Sequence, residues 1–359
     1  MQLSEQSGER KIFEIGSIEI EETERKGIVR YAFDGIRIYR IRVQSMPGFL
    51  TNVYLLMDGK ASLIDVGSHF PQAVRHLKEG FDIINREFGE DVVLDDVGDI
   101  IITHGHGDHF GMLCHEMLHG RRVYIHSSDM GAIADYPNHY YRWQQFTESL
   151  ARESGVIHIP DESGAFDPSV FPINANDHDL IGVEDGQEII NGYVVHHTPG
   201  HTPGHICLRV GPVLFAGDHI LSSTTPHQAP KRAEGYGLNN YMDSLRRVMM
   251  LTPALMGLAG HEETIYPVQA RARAIEEFHH ARLRELRLLC REERNLYALT
   301  DEYYRRYPEL IGVTSIDDME DVGRVGALEE VKAHVEYLLE NELMAISDSD
   351  NGVPLYRSR

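Results

Sequence analysis

The sequence DIIITHGHGDH, at residues 99–109, places three histidines and an aspartate directly after an apolar run. The run of isoleucines predicts a buried strand, and the glycines at 105 and 107 would let the following loop curl so that alternate side chains point inward. Loops at the ends of buried strands are where open α/β sheets place their sites. Neutral imidazole and carboxylate groups are good ligands for zinc, iron or manganese. We therefore interpret this loop as a metal-binding segment, with its ligands at His104, His106, Asp108 and His109.

Three later segments repeat the pattern of an apolar strand, a glycine and a ligand-type side chain. They are TPGHT at 198–202, FAGDH at 215–219 and LAGHE at 258–262. An earlier apolar run, LIDVG at 63–67, also ends in an aspartate. Four ligands in one loop cannot complete two metal spheres, so these segments are expected to supply the partners.

Composition and charge narrow the class of protein. The chain has 359 residues, of which 42% are hydrophobic and 25% are charged, as in ordinary globular proteins. Its net charge is −22, and long-range repulsion of phosphates disfavours a nucleic-acid partner. Three widely spaced cysteines predict no disulfide framework, and neither a signal core nor an apolar run of about 18 residues is present. We therefore expect a cytoplasmic protein without a membrane segment.

The pattern of elements predicts two domains. Strand-like and helical patterns alternate over residues 12–265, which we expect to form the catalytic domain. Within it, residues 130–175 are aromatic and then rich in Pro and Asp, and we interpret them as an insertion that covers one face. Residues 266–346 show helical patterns at about 268–294, 295–307 and 327–341 and predict a small, mainly helical domain.

The first of these C-terminal helices is rich in arginine and glutamate. Its arginines interleave with glutamates at helical spacing, and we expect them to pair along a solvent-facing helix. The small domain would then wall the active-site cleft, gate the substrate or form a homodimer contact. The arginines concerned are Arg282, Arg284, Arg287, Arg291 and Arg294.

Taken in order, the motifs LIDVG, HxHxDH, PGHT, GD and GH over residues 50–262 resemble the metallo-β-lactamase superfamily. The resemblance implies an α/β fold, an αββα sandwich with a dinuclear metal site at one edge. It implies two divalent ions, with zinc favoured and iron or manganese as alternatives. It further implies that Asp65 orients the ligand loop. The implied ligands are His104, His106 and His201 for one metal, Asp108, His109 and His261 for the second, and Asp218 as a bridge between both.

The resemblance can be narrowed to a branch. Aspartate at the bridging position, with Asp108 and His109 in the first motif, is similar to the branch that includes hydroxyacylglutathione hydrolase. GDHILSSTTP at 217–226, followed by NNYMDSLRRV at 239–248, resembles a group with a winged-helix-like C-terminal tail. That group includes hydrolases of unassigned substrate, thioesterases acting on acyl carriers and a single-strand endoribonuclease.

The implied function is a dinuclear metal-dependent hydrolase that uses a metal-bridging hydroxide on a small-molecule acyl substrate. A thioester of the acyl-CoA or acyl-glutathione type, or a related acyl ester, is the preferred substrate. Asp108 is the expected catalytic residue, since it could accept a proton while binding metal. The alternatives are a lactonase, a single-strand endoribonuclease or a protein whose metals only hold the fold.

A few further side chains could contact the substrate. An alkoxide or amine leaving group would need an acid, for which His227 and the tyrosines at 136–141 are candidates, although packing or an exposed polar face is the simpler interpretation. Lys231 and Arg232 could meet a carboxylate or phosphate of the substrate, or lie in a solvated loop.

Overall fold

The computed structural model describes residues 11–23, 27–155, 173–251, 255–310, 312–350 and 352–359. Two large sheets form its centre. In the first sheet, nine strands lie side by side in chain order. They are β1 (Lys11–Ile15), β2 (Ile18–Glu22), β3 (Val29–Phe33), β4 (Ile36–Met46), β5 (Phe49–Met57), β6 (Ala61–Ile64), β7 (Val97–Ile101), β8 (Arg122–His126) and β9 (Asp179–Val183).

The second sheet has five strands, also in chain order. They are β10 (Glu188–Ile189), β11 (Tyr193–His197), β12 (Ile206–Val210), β13 (Val213–Gly217) and β14 (Met256–Ala259). Eight helices accompany the sheets in the described residues. They are α1 (Pro71–Phe88), α2 (Gly107–Phe110), α3 (Gly131–Ala134), α4 (Tyr136–Ser154), α5 (Leu238–Met249), α6 (Val268–Leu289), α7 (Leu296–Arg306) and α8 (Asp321–Glu340).

Strand direction decides where the functional loops lie. Most neighbouring strands are antiparallel, but β6 and β7 pair in parallel in the first sheet, and β13 and β14 pair in parallel in the second. Carboxyl ends of parallel neighbours lie at the same edge of a sheet. The four motif segments that follow these strands are therefore delivered to one edge of the molecule.

Three apolar clusters show the layers. One joins the two sheets through side chains such as Leu56 and Phe215. A second packs α1 against the outer face of the first sheet, with Leu77, Ile41 and Leu55 among its members. The third packs α5 and the C-terminal helices on the outer face of the second sheet. The predicted αββα sandwich is confirmed.

The C-terminal region is helical, as predicted, but it ends in a two-stranded hairpin that the sequence did not indicate. The strands are β15 (Met344–Asp350) and β16 (Val353–Ser358). The polar sequence MAISDSD lacks a strong strand signal, and the hairpin is held by burial of Tyr356 against α4 and α8. The winged-helix-like description and the boundary near residue 266 stay predictions, and α5 shares one apolar cluster with α6, α7 and α8.

The predicted insertion begins with α3 and α4, and its residues 156–172 lie outside the described residues. Tyr136 and Tyr140 are buried in the cluster beneath the first sheet. In the described part of the chain, no helix is long and apolar enough to cross a membrane.

One partly buried contact fixes the end of α1 to the first sheet. Glu90 follows the helix and accepts hydrogen bonds from the Tyr39 hydroxyl, at 2.5 Å, and from the Arg37 guanidinium, at 2.5 Å and 3.1 Å. Burial alone would raise the pKa of the Glu90 carboxyl, but these two donors outweigh it, and the pKa lies below its usual value of 4.5. The ionised carboxylate therefore favours the folded state.

We expect Glu90→Gln to lower the free energy of unfolding by about 1 kcal/mol at neutral pH, after allowance for partial exposure. Because the folded pKa is depressed, this stabilisation is present above the unfolded pKa and is lost as the pH falls through the folded pKa. Urea titrations from pH 7 downward should show the two proteins converging below about pH 4.5. Glu188→Gln, on exposed β10, is the matched control and should change little. A gap between Glu90→Gln and the wild type that stays constant with pH would contradict the assignment.

Candidate metal centre

The structure brings all seven predicted ligand side chains together at one edge of the sandwich. Loops after β7, β13 and β14 contribute to it, and so does the turn between β11 and β12. Three overlapping groups have ligand atoms within 4.8 Å of one another. These groups are His104, His106 and His201; His104, His109 and Asp218; and Asp108, His109 and His261.

The first group consists of three imidazoles. His106 Nδ1 lies 3.0 Å from His104 Nε2 and 3.1 Å from His201 Nε2. His104 is fully buried and His201 is nearly so. Burial, reinforced by the neighbouring histidines, holds the pKa values of His104 and His106 well below the usual range, so these rings are neutral and offer lone pairs.

The second group combines a carboxylate with two imidazoles. His261 Nε2 lies 3.3 Å from Asp108 Oδ2 and 3.3 Å from His109 Nε2. Burial opposes a charge on His261, but the carboxylates of Asp218 and Asp108 outweigh it and raise the His261 pKa to about 10. The space between His261 and these two carboxylates therefore strongly favours a positive charge.

Asp218 lies between the two groups. Its Oδ2 is 3.2 Å from His261 Nε2, 3.5 Å from His109 Nε2 and 3.7 Å from His201 Nε2. Its Oδ1 is buried and has no hydrogen-bond partner among the described residues. A buried carboxylate oxygen without a donor is costly, which points to a cation as its partner.

Hydrogen bonds at the outer ring nitrogens fix which atoms face inward. Nδ1 of His109 lies 2.7 Å from the Asp65 carboxylate, Nδ1 of His201 lies 2.8 Å from a main-chain carbonyl, and Nδ1 of His261 lies 2.6 Å from another. These partners only accept, so each Nδ1 carries the proton. In the neutral form of each ring, Nε2 therefore presents a lone pair to the centre, the arrangement found for metal-bound histidines. The residues present thus fit divalent cations.

Asp65 holds the loop after β7 in place. It lies at φ 55°, and its carboxylate accepts from Thr103 N at 2.8 Å and Thr103 Oγ1 at 2.8 Å, in addition to His109. The Thr103 hydroxyl, having donated to Asp65, is left to accept from His104 Nδ1 at 3.1 Å. Asp65 thus orients two of the imidazoles, one directly and one through the threonine.

Sequence reasoning missed a second buried carboxylate, Asp129. It accepts from Gly105 N at 2.8 Å, Thr202 Oγ1 at 2.5 Å and Gly204 N at 2.7 Å. Asp129 therefore joins the loop after β7 to the His201 turn. It follows the apolar strand β8, so the strand-then-acid pattern that identified the other segments could have found it. His205, whose Nε2 accepts from Asp218 N at 3.0 Å, likewise supports a ligand.

Gly105 and Gly107 do not supply the backbone freedom that the sequence analysis expected of them. Neither Gly105 nor Gly107 has a positive φ, and Gly107 begins α2. Gly105 is required by crowding, because a Cβ there would lie 3.0 Å from the Ala132 Cβ. Position 260 is more crowded, since a Cβ there would lie 2.3 Å from Asp218 Oδ1.

The loop after β13 contacts both the centre and α8. The His227 carbonyl accepts from His201, and its ring nitrogens lie 3.0 Å from Glu329 and 3.5 Å from Glu330. Lys231 Nζ lies 2.9 Å from Glu340 Oε1. Both side chains are thus engaged by acidic residues of the C-terminal helix.

Comparison with known proteins agrees with this geometry. Residues 46–261, more than half of the chain, match the Metallo-beta-lactamase superfamily. A curated relative, the probable metallo-hydrolase YqjP of Bacillus subtilis (strain 168), is 28% identical over 237 residues, covering 61% of this chain and 69% of that protein. A hydroxyacylglutathione hydrolase of Enterobacter sp. (strain 638) is 30% identical over 139 residues, covering 33% of this chain and 53% of that protein.

Solved structures share the fold over nearly the whole chain. A metallo-beta-lactamase family protein from Thermus thermophilus gives a TM-score of 0.71 at 24% identity, covering 90% of this chain and 98% of that one. A beta-lactamase domain protein from Burkholderia ambifaria gives 0.69 at 21% identity, covering 97% and 94%. With the motif order, the sandwich and the family match in agreement, the chain belongs to the metallo-beta-lactamase superfamily.

Proposed function

We propose that this chain is a dinuclear metal-dependent hydrolase that acts on thioesters. The observation that carries the proposal is the convergence of imidazole lone pairs and carboxylate oxygens, with the imidazoles oriented by hydrogen bonds on their outer side. Burying such groups together is costly unless positive charge, from protons or metal ions, lies among them. The relatives named metallo-hydrolase and hydroxyacylglutathione hydrolase support the same class of reaction.

We assign one cation to the three-imidazole group and a second to the group that contains Asp108, with Asp218 shared. Zinc is our preferred metal, although imidazole and carboxylate ligands also suit iron and manganese. Bound divalent cations polarise an acyl carbonyl and lower the pKa of water toward neutrality.

Asp108 is the side chain that we assign to proton transfer. Burial would raise its pKa, but His109 and His261 outweigh burial and keep the pKa well below the usual value. The carboxylate is therefore ionised at neutral pH and able to accept a hydrogen bond, although the same depression of its pKa makes it a weak base. The Thr51 hydroxyl lies 3.4 Å from Asp108 Oδ2 and helps to orient it.

Of the four side chains that sequence analysis offered as acids, three are engaged or buried, and the fourth, Tyr141, is 57% exposed. Both ring nitrogens of His227 face carboxylates of α8, and Tyr136 and Tyr140 are buried in the core. A thiol has a pKa of about 8.5, so a thiolate leaves with little protonation, unlike an alkoxide or an amine. This difference supports thioesters over other esters and amides.

Arg232 supports an anionic substrate. Its guanidinium carbon lies 4.9 Å from the ring centroid of Tyr236 and 5.1 Å from that of Phe146. Among the described residues no carboxylate lies within 4 Å of it, although its charge lowers the pKa of Glu329. Its Nε is buried without a hydrogen-bond partner there. The loop that bears it packs on the His201 turn, where a Cβ at Gly235 would lie 2.8 Å from Pro203 Cα. We assign Arg232 to a carboxylate or phosphate of the acyl carrier.

Two exposed apolar side chains, Phe49 and Leu50, lie at the His261 side of the centre. The Phe49 ring packs on His261 with centroids 4.5 Å apart, yet 41% of Phe49 and 46% of Leu50 are exposed. Exposed apolar side chains beside a metal centre can cover an acyl chain. The proposed substrate therefore places its acyl group along Phe49 and Leu50 and its charged carrier toward Arg232.

The proposal is tested by thiol release from a panel of acyl-CoA and acyl-glutathione substrates with metal-loaded protein. We expect the wild type to release thiol. His106→Ala should lower the rate of release by at least about 100-fold, because the imidazole that it removes lies close to both His104 and His201. His280→Ala, at a half-buried histidine of α6 outside the candidate centre, is the control and should retain activity. Absence of thiol release across the whole panel would reject the thioester assignment. Lactones and single-stranded RNA would then be the substrates to test.

We expect Asp65→Asn to lower metal content as well as activity, by about 10- to 100-fold in affinity for one ion. The amide keeps one accepting oxygen in place of two, so it cannot accept from all three donors of Thr103 and His109, and the loop after β7 loses its orientation. Metal analysis by mass spectrometry after dialysis should show fewer ions per chain than in the wild type. Asp58→Asn, at the turn between β5 and β6, is the control. Full metal content in folded Asp65→Asn would contradict the role given to this carboxylate.

We expect Arg232→Gln to raise KM for acyl-CoA or acyl-glutathione by about 10-fold with kcat nearly unchanged. A neutral thioester, S-acetyl-N-acetylcysteamine, should be hydrolysed equally by both proteins because it has no anion to bind. Lys231→Gln is the matched charge control. Equal losses on charged and neutral thioesters would mean that Arg232 supports the loop rather than the substrate.

A further inference from the structure

Five arginines line one groove in the C-terminal region. Arg284, Arg287 and Arg291 come from α6 and the turn after it, and Arg357 and Arg359 come from β16 and the end of the chain. The groove measures about 550 Å³, and none of the proposed metal ligands lines it. We call it the arginine groove. It stands out because the whole chain carries a net charge of −22.

The ion pairs expected along α6 do not form at Arg284, Arg287 or Arg291. Glu292 lies 3.3 Å from Arg294, and Glu293 lies 3.7 Å from Arg357. Among the described residues, no carboxylate side chain lies within 4 Å of Arg284, Arg287 or Arg291. The expectation of mutual pairing along this helix was therefore wrong for the three arginines of the groove, and Arg282 instead pairs with buried Glu330.

The side chain of Arg287 is the most constrained of the five. It donates to the main-chain oxygen of Arg359 at 3.4 Å, and its Nε is buried without a partner in the described part of the chain. Like charges held at one place repel, and a buried donor without an acceptor is costly. Both costs would fall if an anion lay in the groove.

From this geometry we infer that the arginine groove binds a small ligand that carries two or more phosphate groups. The planar guanidinium fork matches phosphate oxygens in pairs, and several forks in one groove match a run of phosphates. A volume of about 550 Å³ suits a small molecule. Single carboxylates would bring too little negative charge in that space.

The apolar side chain of Leu288 narrows the kind of phosphate ligand that would fit the groove. It lines the groove and is 45% exposed, so it offers an apolar contact among the arginines. A nucleotide would use it for the face of its base, whereas an inorganic polyphosphate would not. Glu292 and Glu293 lie just beyond the arginines in sequence, and their charges disfavour a long nucleic acid that extends past the groove.

The test is calorimetric titration of the full metal-loaded chain with sodium tripolyphosphate, ATP and coenzyme A. We expect saturable binding to the wild type and a weakening of at least about 10-fold in the double variant Arg284→Gln/Arg291→Gln. The matched control is Arg152→Gln/Arg273→Gln, which removes the same charge at positions outside the groove. All these proteins keep the metal centre, so any binding of phosphate to the ions is common to them.

The pattern across the three probes identifies the source of the phosphates. Tighter binding of ATP or coenzyme A than of tripolyphosphate, reduced by Leu288→Ser, supports a nucleotide ligand. Equal binding of all three probes supports a polyphosphate ligand. Each outcome supports the inference, independently of whether the centre hydrolyses thioesters.

Three results would overturn the inference. The first is no saturable binding to the wild type, and the second is an equal loss in the groove variant and the control. The third is binding of a single-stranded RNA, or self-association, that depends on Arg284 and Arg291 while tripolyphosphate does not bind. That third result would make the groove a macromolecular surface.

Discussion

The hydrogen bonds accepted by Asp65 are the constraint on which the centre depends. One buried carboxylate takes three donors, from the main chain and hydroxyl of Thr103 and from the ring of His109. It thereby fixes the end of β7, the tautomer of one imidazole and, through the threonine, the orientation of another. A buried charge is tolerable there because every donor is supplied by the loop that it organises.

Hydrogen bonds around the centre also connect the two sheets to each other. Asp129, after the first sheet's β8, binds Thr202 and Gly204 in the second sheet's turn, while Asn52 of β5 donates to the Ala259 carbonyl at the end of β14. The proposed metal ligands therefore reach their positions only when the sandwich closes. The crowding at Gly260 shows how closely the two strand ends approach, since a Cβ there would lie 2.3 Å from Asp218 Oδ1.

Much of this could be predicted from sequence, since short motifs after apolar strands fix both strand ends and ligand types. The seven side chains from His104 to His261 meet because those motifs are local and the parallel pairs set one edge. Asp129 was missed because its partners are mostly main-chain groups distant in sequence. The hairpin β15–β16 and the unpaired arginines of α6 depend on tertiary neighbours that helical spacing does not reveal.

The acidic residues of α8 have a consequence for how this molecule could diversify. Glu329 and Glu330 hold His227, Glu330 accepts from Gln228 N, and Glu336 accepts from Lys231 N. The loop that frames the centre thus takes its shape from a helix that contributes none of the proposed ligands. Changes confined to α8 could reshape the entrance while the ligand set stays intact. The proposed substrate recognition and the proposed metal chemistry thus depend on different parts of the chain, which can vary independently.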